Sequence, residues 1–186
     1  PINNIVDITN YIMMAFGTPL HCFDADMVQG HQIVVKTMPE GTPFVTLDGV
    51  EHKLSDRDLA ICNAQEPMCI AGVFGGKGSG TYETTRDVVL ESAYFNPTWI
   101  RKSARRHGLS TDASFRFERG VDPNAQIYAL KAAALMAKEL AGAKVSMQIA
   151  DTRPQPVEGF SVNLQYAYVD ALIGQPELPQ AAQAFG

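Results

Sequence analysis

The 186-residue chain carries 15 Lys and Arg against 20 Asp and Glu, a formal charge of −5, and is 46% hydrophobic. That is enough apolar material for one globular domain with a real core and part of a second. No apolar run is long enough to span a bilayer and no signal-peptide pattern is present. Cys22, Cys62 and Cys69 form no CxxC pair and leave an odd thiol, which fits a reducing compartment better than a disulfide scaffold. The four histidines are scattered without ligand spacing, so no metal site is expected.

In chain order, Asp7 is placed to cap a helix through Ile8, Tyr11, Ile12, Ala15 and Phe16, ended by Gly17. Pro19 then forces an extended chain through Leu20, His21, Cys22, Phe23 and Asp24. On residue type alone, His21 reads as a packing residue. Strands are predicted over 33–36, 44–47, 59–62 and 68–71, with Asp48-Gly49 as a hairpin turn needing positive φ at both positions. The run GVFGGKGSG at 72–80 fails as a phosphate loop, because Gly78 follows Lys77 and Ala71 stands where a glycine is required. Its Gly75 and Gly76 instead let backbone amides approach a ligand, or simply end a strand.

Residues 87–95 read as a strand with Glu91 inside an apolar run, on one face with Val89 and Ala93. Such a carboxylate sits either at a wet sheet rim or buried with a partner. Asn96-Pro97 opens a helix whose buried side is Trp99, Ile100, Ser103 and Ala104. Asp122-Pro123 opens an Ala-rich helix to Ala141, stopped by Gly142, with a packing stripe of Ile127, Leu130, Ala134, Ala137 and Ala141. Residues 145–149 are expected to form a last strand, and 152–159 a linker. The hairpin-rich first half followed by helices predicts an α+β fold, a mostly antiparallel sheet with packed helices. The absence of an initiator Met and the helix-like last residues suggest an excised piece of a longer protein.

Residues 101–123 hold six of the fifteen basic residues: Arg101, Lys102, Arg105, Arg106, Arg116 and Arg119. A basic island on an acidic chain is a candidate polyanion contact, or a solvated helix face whose cations suit the helix dipole.

The segment ARRHGLSTDASFRFERGVDP resembles the signature of the bacterial phenylalanyl-tRNA synthetase beta subunit. VDITNY, GTPLHCFD, TLDG, AGVFGG and VVLESAYF resemble the same subunit in the same order. The resemblance is to its editing module, over residues 1–155, with 156–186 as linker and start of the next beta-subunit domain. It implies hydrolysis of mischarged tyrosyl-tRNA(Phe). His21 and Thr111 would orient water or substrate, and Glu91 would read the phenol with Gly75 and Gly76 amides beside it. Ala113 would keep the pocket wall small, and Arg101, Arg105 and Arg106 would hold tRNA(Phe). It implies no cofactor for this piece, ATP and Mg²⁺ for the whole synthetase, an alpha subunit in an alpha2-beta2 heterotetramer, and a cytoplasmic location. Two rival readings are a non-catalytic tRNA-binding or scaffold module and a class II catalytic core. The second rests on Phe115-Arg116-Phe117-Glu118, which mimics that class's F-R-x-E motif, but the glycine-rich run lies on the wrong side of it.

Overall fold

The computed structural model describes residues 2–153, 157, 159 and 161–174. The chain divides into two compact units, Pro1–Ile149 and Ala150–Gly186. The expected linker at 152–159 is only partly within the described residues, and the helix-like end at 179–186 lies outside them.

In the first unit, helix α1 spans Asn4–Phe16, with the Asn3 side chain accepting from the Val6 amide and Gly17 left-handed at its end. The cap is therefore Asn3, one turn before the expected Asp7, whose carboxylate accepts from the Ile2 amide instead. Strands follow at Leu20–Asp24 (β1), Val34–Thr37 (β2), Thr42–Val45 (β3), Glu51–Leu54 (β4), Leu59–Cys62 (β5), Pro67–Ile70 (β6), Phe74–Gly75 (β7) and Val88–Ser92 (β8). Helices α2 (Pro97–His107), α3 (Asp112–Phe117) and α4 (Gln126–Ala141) complete the unit. The second unit contains α5, Tyr166–Ile173.

The fold is α+β, and every strand pair is antiparallel. The strands form three sheets where one was expected: β1-β8, β2-β5-β6-β7 and β3-β4, with a bridge between Thr46 and Gly76. The β3–β4 hairpin forms at Asp48-Gly49, but only Gly49 takes positive φ, at 83°. The Gly49 amide closes the turn on the Thr46 carbonyl, and Asp48 accepts from Thr46 Oγ1 and the Val50 amide. Asp48 thus supports the turn through its side chain and does not need the left-handed region.

Period-2 alternation divides the β1–β8 ribbon between two cores. Phe23, Val89 and Ala93 join the larger core of Phe44, Leu54, Ile61, Ile70, Phe95, Ile100 and Phe117. Leu20 and Leu90 pack on Ile8, Ile12, Ala129, Ala133 and Ala137, where α1 meets α4. The α4 stripe is displaced from the expected one: Gln126, Ala129, Ala133 and Ala137 are buried, while Ala141 is exposed. Small residues let α1 come close, so helix separation and not hydrophobicity selects the buried face. α4 also begins after a turn, with no side-chain cap; Asp122 accepts from the Asn124 amide ahead of it. Residues 145–149 form no strand, and Val145 and Met147 are exposed. Apolar alternation there finds no edge to pair with among the described residues.

α2 matches its expected start, with Asn96 accepting from the Thr98 and Trp99 amides and Pro97 in the first turn. Ile100, Ser103 and Ala104 face inward, but Trp99 is 45% exposed. A second anchor, invisible in the sequence, fixes α2. Asp58, fully buried, accepts from Ser103 Oγ at 2.7 Å, from the Ser55 amide at 2.8 Å and from Arg106, and lies 2.6 Å from His107 Nε2. Burial alone would raise the Asp58 pKa, but the Ser55, Ser103 and His107 hydrogen bonds outweigh it and hold the carboxyl below its ordinary value.

Candidate functional site

The antiparallel register sets His21 on β1 directly opposite Glu91 on β8. Both side chains point to the ribbon face that carries Phe23, Val89 and Ala93. Phe23 stands edge-on to the His21 ring with centroids 4.5 Å apart. Around them a cleft is lined by Pro19, Leu20, Cys69, Gly72, Val73, Phe74, Gly75, Phe95, Ala113 and Phe117. The structure therefore brings together His21, Glu91, Gly75 and Ala113 from four separate parts of the chain.

The two titratable groups are held near neutrality in opposite ways. Burial lowers the His21 pKa from 6.5 to about 4, and its Nε2 is buried with no hydrogen-bond partner. Burial raises Glu91 from 4.5 to about 7. None of the side-chain hydrogen bonds among the described residues ends on its carboxyl group. A buried, unpartnered imidazole nitrogen facing a carboxyl of raised pKa across a cleft marks a candidate binding site.

Glycines make this arrangement possible. A Cβ on Gly75 would lie 2.9 Å from Leu47 Cδ1 and 3.0 Å from His21 Cε1, so the imidazole packs directly over a bare backbone. Gly72, at φ +67°, has Phe95, Phe117 and Ile100 within 3.0–3.1 Å of where a Cβ would be. Gly76 has a different job. Its amide already donates to the Met68 carbonyl at 2.8 Å, so it is not free to meet a ligand.

Thr111 is also committed. Its hydroxyl donates to the Val73 carbonyl at 2.9 Å and accepts from the Ser114 amide at 3.0 Å, in a capping box that starts α3. It ties the glycine loop to α3 and so places Ala113 and Phe117 in the cleft wall. Arg101 and Arg105 are exposed on the outer face of α2, whereas Arg106 turns inward to Asp58. The phenylalanines at 74, 95 and 117 and Cys69 are cleft residues that sequence reasoning missed. The Cys69 pKa is pushed well up by burial and by the nearby Glu91, so its thiol is inert packing. Among the described residues, no group of three or more His, Cys, Asp or Glu is placed to hold a metal ion, and no helix is long and apolar enough to cross a membrane.

A family model for the B3/4 domain matches residues 1–142. The chain belongs to the B3/4 domain family. This B3/4 domain is 66% identical over 175 residues to the phenylalanine–tRNA ligase beta subunit of Bacteroides fragilis, covering 94% of the chain and 21% of that relative. It is 50% identical over 185 residues to the same subunit of Porphyromonas gingivalis, covering 99% of the chain and 22% of the relative. With the Syntrophus aciditrophicus subunit it shares 45% over 184 residues, 98% of the chain and 23% of the relative. The chain thus spans about a fifth of the length of these curated relatives. Within the B3/4 domain, the F-R-x-E mimic has a structural role: Arg116 donates to the Asp112 carbonyl at 2.8 Å, and Phe117 enters the core.

Proposed function

We propose that this B3/4 domain is the editing module of a phenylalanine–tRNA ligase beta subunit and hydrolyses mischarged tyrosyl-tRNA(Phe). The observation that carries the reading is the facing of Glu91 and His21 in one cleft, with His21 Nε2 buried and unpartnered and the Glu91 carboxyl bonded to no side chain or amide among the described residues.

An apolar synthetic site built for phenylalanine rejects an added hydroxyl by only about a hundredfold. A site built to bond that hydroxyl rejects the ligand lacking it by roughly 10⁴ or more. Glu91 suits such a hydroxyl-reading site. Above about pH 7 its carboxylate accepts a strong charge-assisted hydrogen bond from the phenol O–H. The phenylalanine ring would leave the same carboxylate buried and unpaired. Ala113 and the glycine loop leave room for the ring.

The chemistry is ester hydrolysis. A water oxygen bonds to the tyrosyl carbonyl carbon, the bond to the ribose oxygen breaks, and a proton ends on the ribose hydroxyl. At a pKa of about 4, His21 is neutral at physiological pH and a weak proton acceptor. Its unpartnered Nε2 therefore orients the water or the substrate amino group more than it drives proton removal. Thr111 acts behind it, by fixing the wall. Arg101 and Arg105 supply phosphate contacts that position tRNA without reading sequence. Arg106 contributes through the stability of α2. ATP and Mg²⁺ serve the synthetic site of the whole enzyme, which would pair this subunit with an alpha subunit, as alpha2-beta2, in the cytoplasm.

The deciding experiment is single-turnover deacylation of tyrosyl-tRNA and phenylalanyl-tRNA by the whole enzyme. Glu91→Ala should slow tyrosyl-tRNA hydrolysis by one to two factors of ten, the worth of a hydrogen bond to a charged group (about 1.5–3 kcal/mol). If Glu91→Ala hydrolyses tyrosyl-tRNA as fast and as selectively as the parent, the cleft is not the editing site. A tRNA-binding or scaffold module would then be the better reading.

A further inference from the structure

The geometry points to Phe115 and Arg119 as a stacking platform for the single-stranded 3′ end of the RNA whose ester enters the cleft; this rests on the editing reading. Helix α3 presents Ala113 and Phe117, one turn apart, to the cleft. Phe115 lies half a turn between them and so projects from the opposite flank, where it is 51% exposed. Arg119 lays its guanidinium 3.5 Å from the Phe115 ring centroid. The same arginine donates to the Phe115 carbonyl at 3.0 Å and to Glu118 at 2.6 Å.

These contacts pin the Arg119 guanidinium over a phenyl ring that is only half-buried. The guanidinium covers one ring face, and half of the residue's surface stays open to solvent as apolar area. A cation stacked on an aromatic ring is the arrangement that single-stranded nucleic acid sites use to receive a base, because every base has a π-face. The platform's acids are Glu118, which Arg119 neutralises, and Asp112, which pairs with Arg116 at 3.3 Å. Nearby α2 packs on α3 and exposes Arg101, Lys102 and Arg105, so the surrounding field favours a polyanion.

Position gives the occupant. The scissile ester joins the amino acid to the terminal ribose, so an aminoacyl group in the cleft fixes that ribose at its mouth. The far flank of α3 lies about one helix diameter away, ~10 Å. That is within reach of the nucleotides preceding the esterified one. A protein partner would use the apolar ring but would not need the cations around it.

The test uses this chain with Phe115→Trp in a Trp99→Phe background, which leaves a single tryptophan. Titration with a short single-stranded RNA ending in CCA should quench the indole fluorescence. In the whole enzyme, Phe115→Ala should raise the half-saturating tyrosyl-tRNA concentration in single-turnover deacylation roughly tenfold, within the ~1–3 kcal/mol per stacked base. Phe115→Trp should rescue binding, and Phe115→Leu, which keeps bulk but has no π-face, should not. Absence of quenching, or Phe115→Leu matching the parent, overturns the platform. Glu91→Ala in the same assay reports on the editing reading separately: a lost Glu91 effect with quenching intact removes the function and leaves the RNA site.

Discussion

Replacing Glu91 with Gln should tilt the pH dependence of stability. Two opposed ionisations share the cleft. Glu91 has a folded pKa of about 7 against 4.5, so the folded state holds its proton more tightly than the unfolded chain. Its contribution is fullest below pH 4.5, falls as pH climbs to 7 and is level beyond. His21 has a folded pKa of about 4 against 6.5, so the folded state resists protonation. Its contribution is full above pH 6.5 and is lost as pH falls to 4. At ~1.4 kcal/mol for each pH unit, either displacement is worth on the order of 3 kcal/mol, a large share of a domain's stability. Between pH 4.5 and 6.5 the two slopes cancel and the parent should be nearly flat. Glu91→Gln leaves only the His21 slope, so stability should rise by up to about 3 kcal/mol from pH 4 to 6.5 and then level. His21→Gln should give the mirror image, a fall towards pH 7. The assay is urea unfolding at fixed ionic strength from pH 4 to 8, reading midpoint and slope. Parallel profiles for the parent and Glu91→Gln would refute the reasoning, since the carboxyl would then be solvated and unperturbed.

Asp58→Ala should cost about 3 kcal/mol or more in urea unfolding, because it strands Arg106, Ser103 and His107 without their shared acceptor. Asp58 itself, with its pKa held below 3.8, contributes stability that is present above that value and lost in more acid solution. Asp58→Asn should therefore show a shallower acid decline than the parent. Gly72→Ala should destabilise by roughly 1–3 kcal/mol, since the new methyl meets three core side chains at a left-handed backbone position; an unchanged midpoint would mean the wall yields. Arg101→Ala with Arg105→Ala should weaken RNA binding and flatten its salt dependence by about one to two counterions, measured by titration at several salt concentrations. An unchanged slope would return these residues to plain surface.

Local chemistry is legible where one residue type decides the backbone. Asn96-Pro97 and Gly142 mark the α2 start and the α4 end because a cap and a left-handed stop are local requirements. The facing of His21 and Glu91 is not, since strand register is a long-range pairing; only the family resemblance places them together. α3 has no clear sequence signal because six residues among serines and glycines carry no full helical period, and its start rests on the Thr111 capping box. The Asp58 cluster joins residues 45 to 49 positions apart and has no linear signature. Gly75 reads in sequence as a donor of amides, yet its structural meaning lies in the missing Cβ beneath His21.

The β1–β8 ribbon makes the cleft a late event in folding. Its two cleft residues His21 and Glu91 meet only after the intervening chain has closed a loop, an entropic cost of about 4 kcal/mol in the simplest chain estimate. The β2–β6 strands, the hairpins and the helices are built from nearer contacts and gain stability first. A nascent or half-folded molecule would thus possess a sheet, helices and a basic surface while lacking the cleft between His21 and Glu91. In refolding experiments, tyrosyl ester hydrolysis should lag behind the recovery of far-ultraviolet circular dichroism.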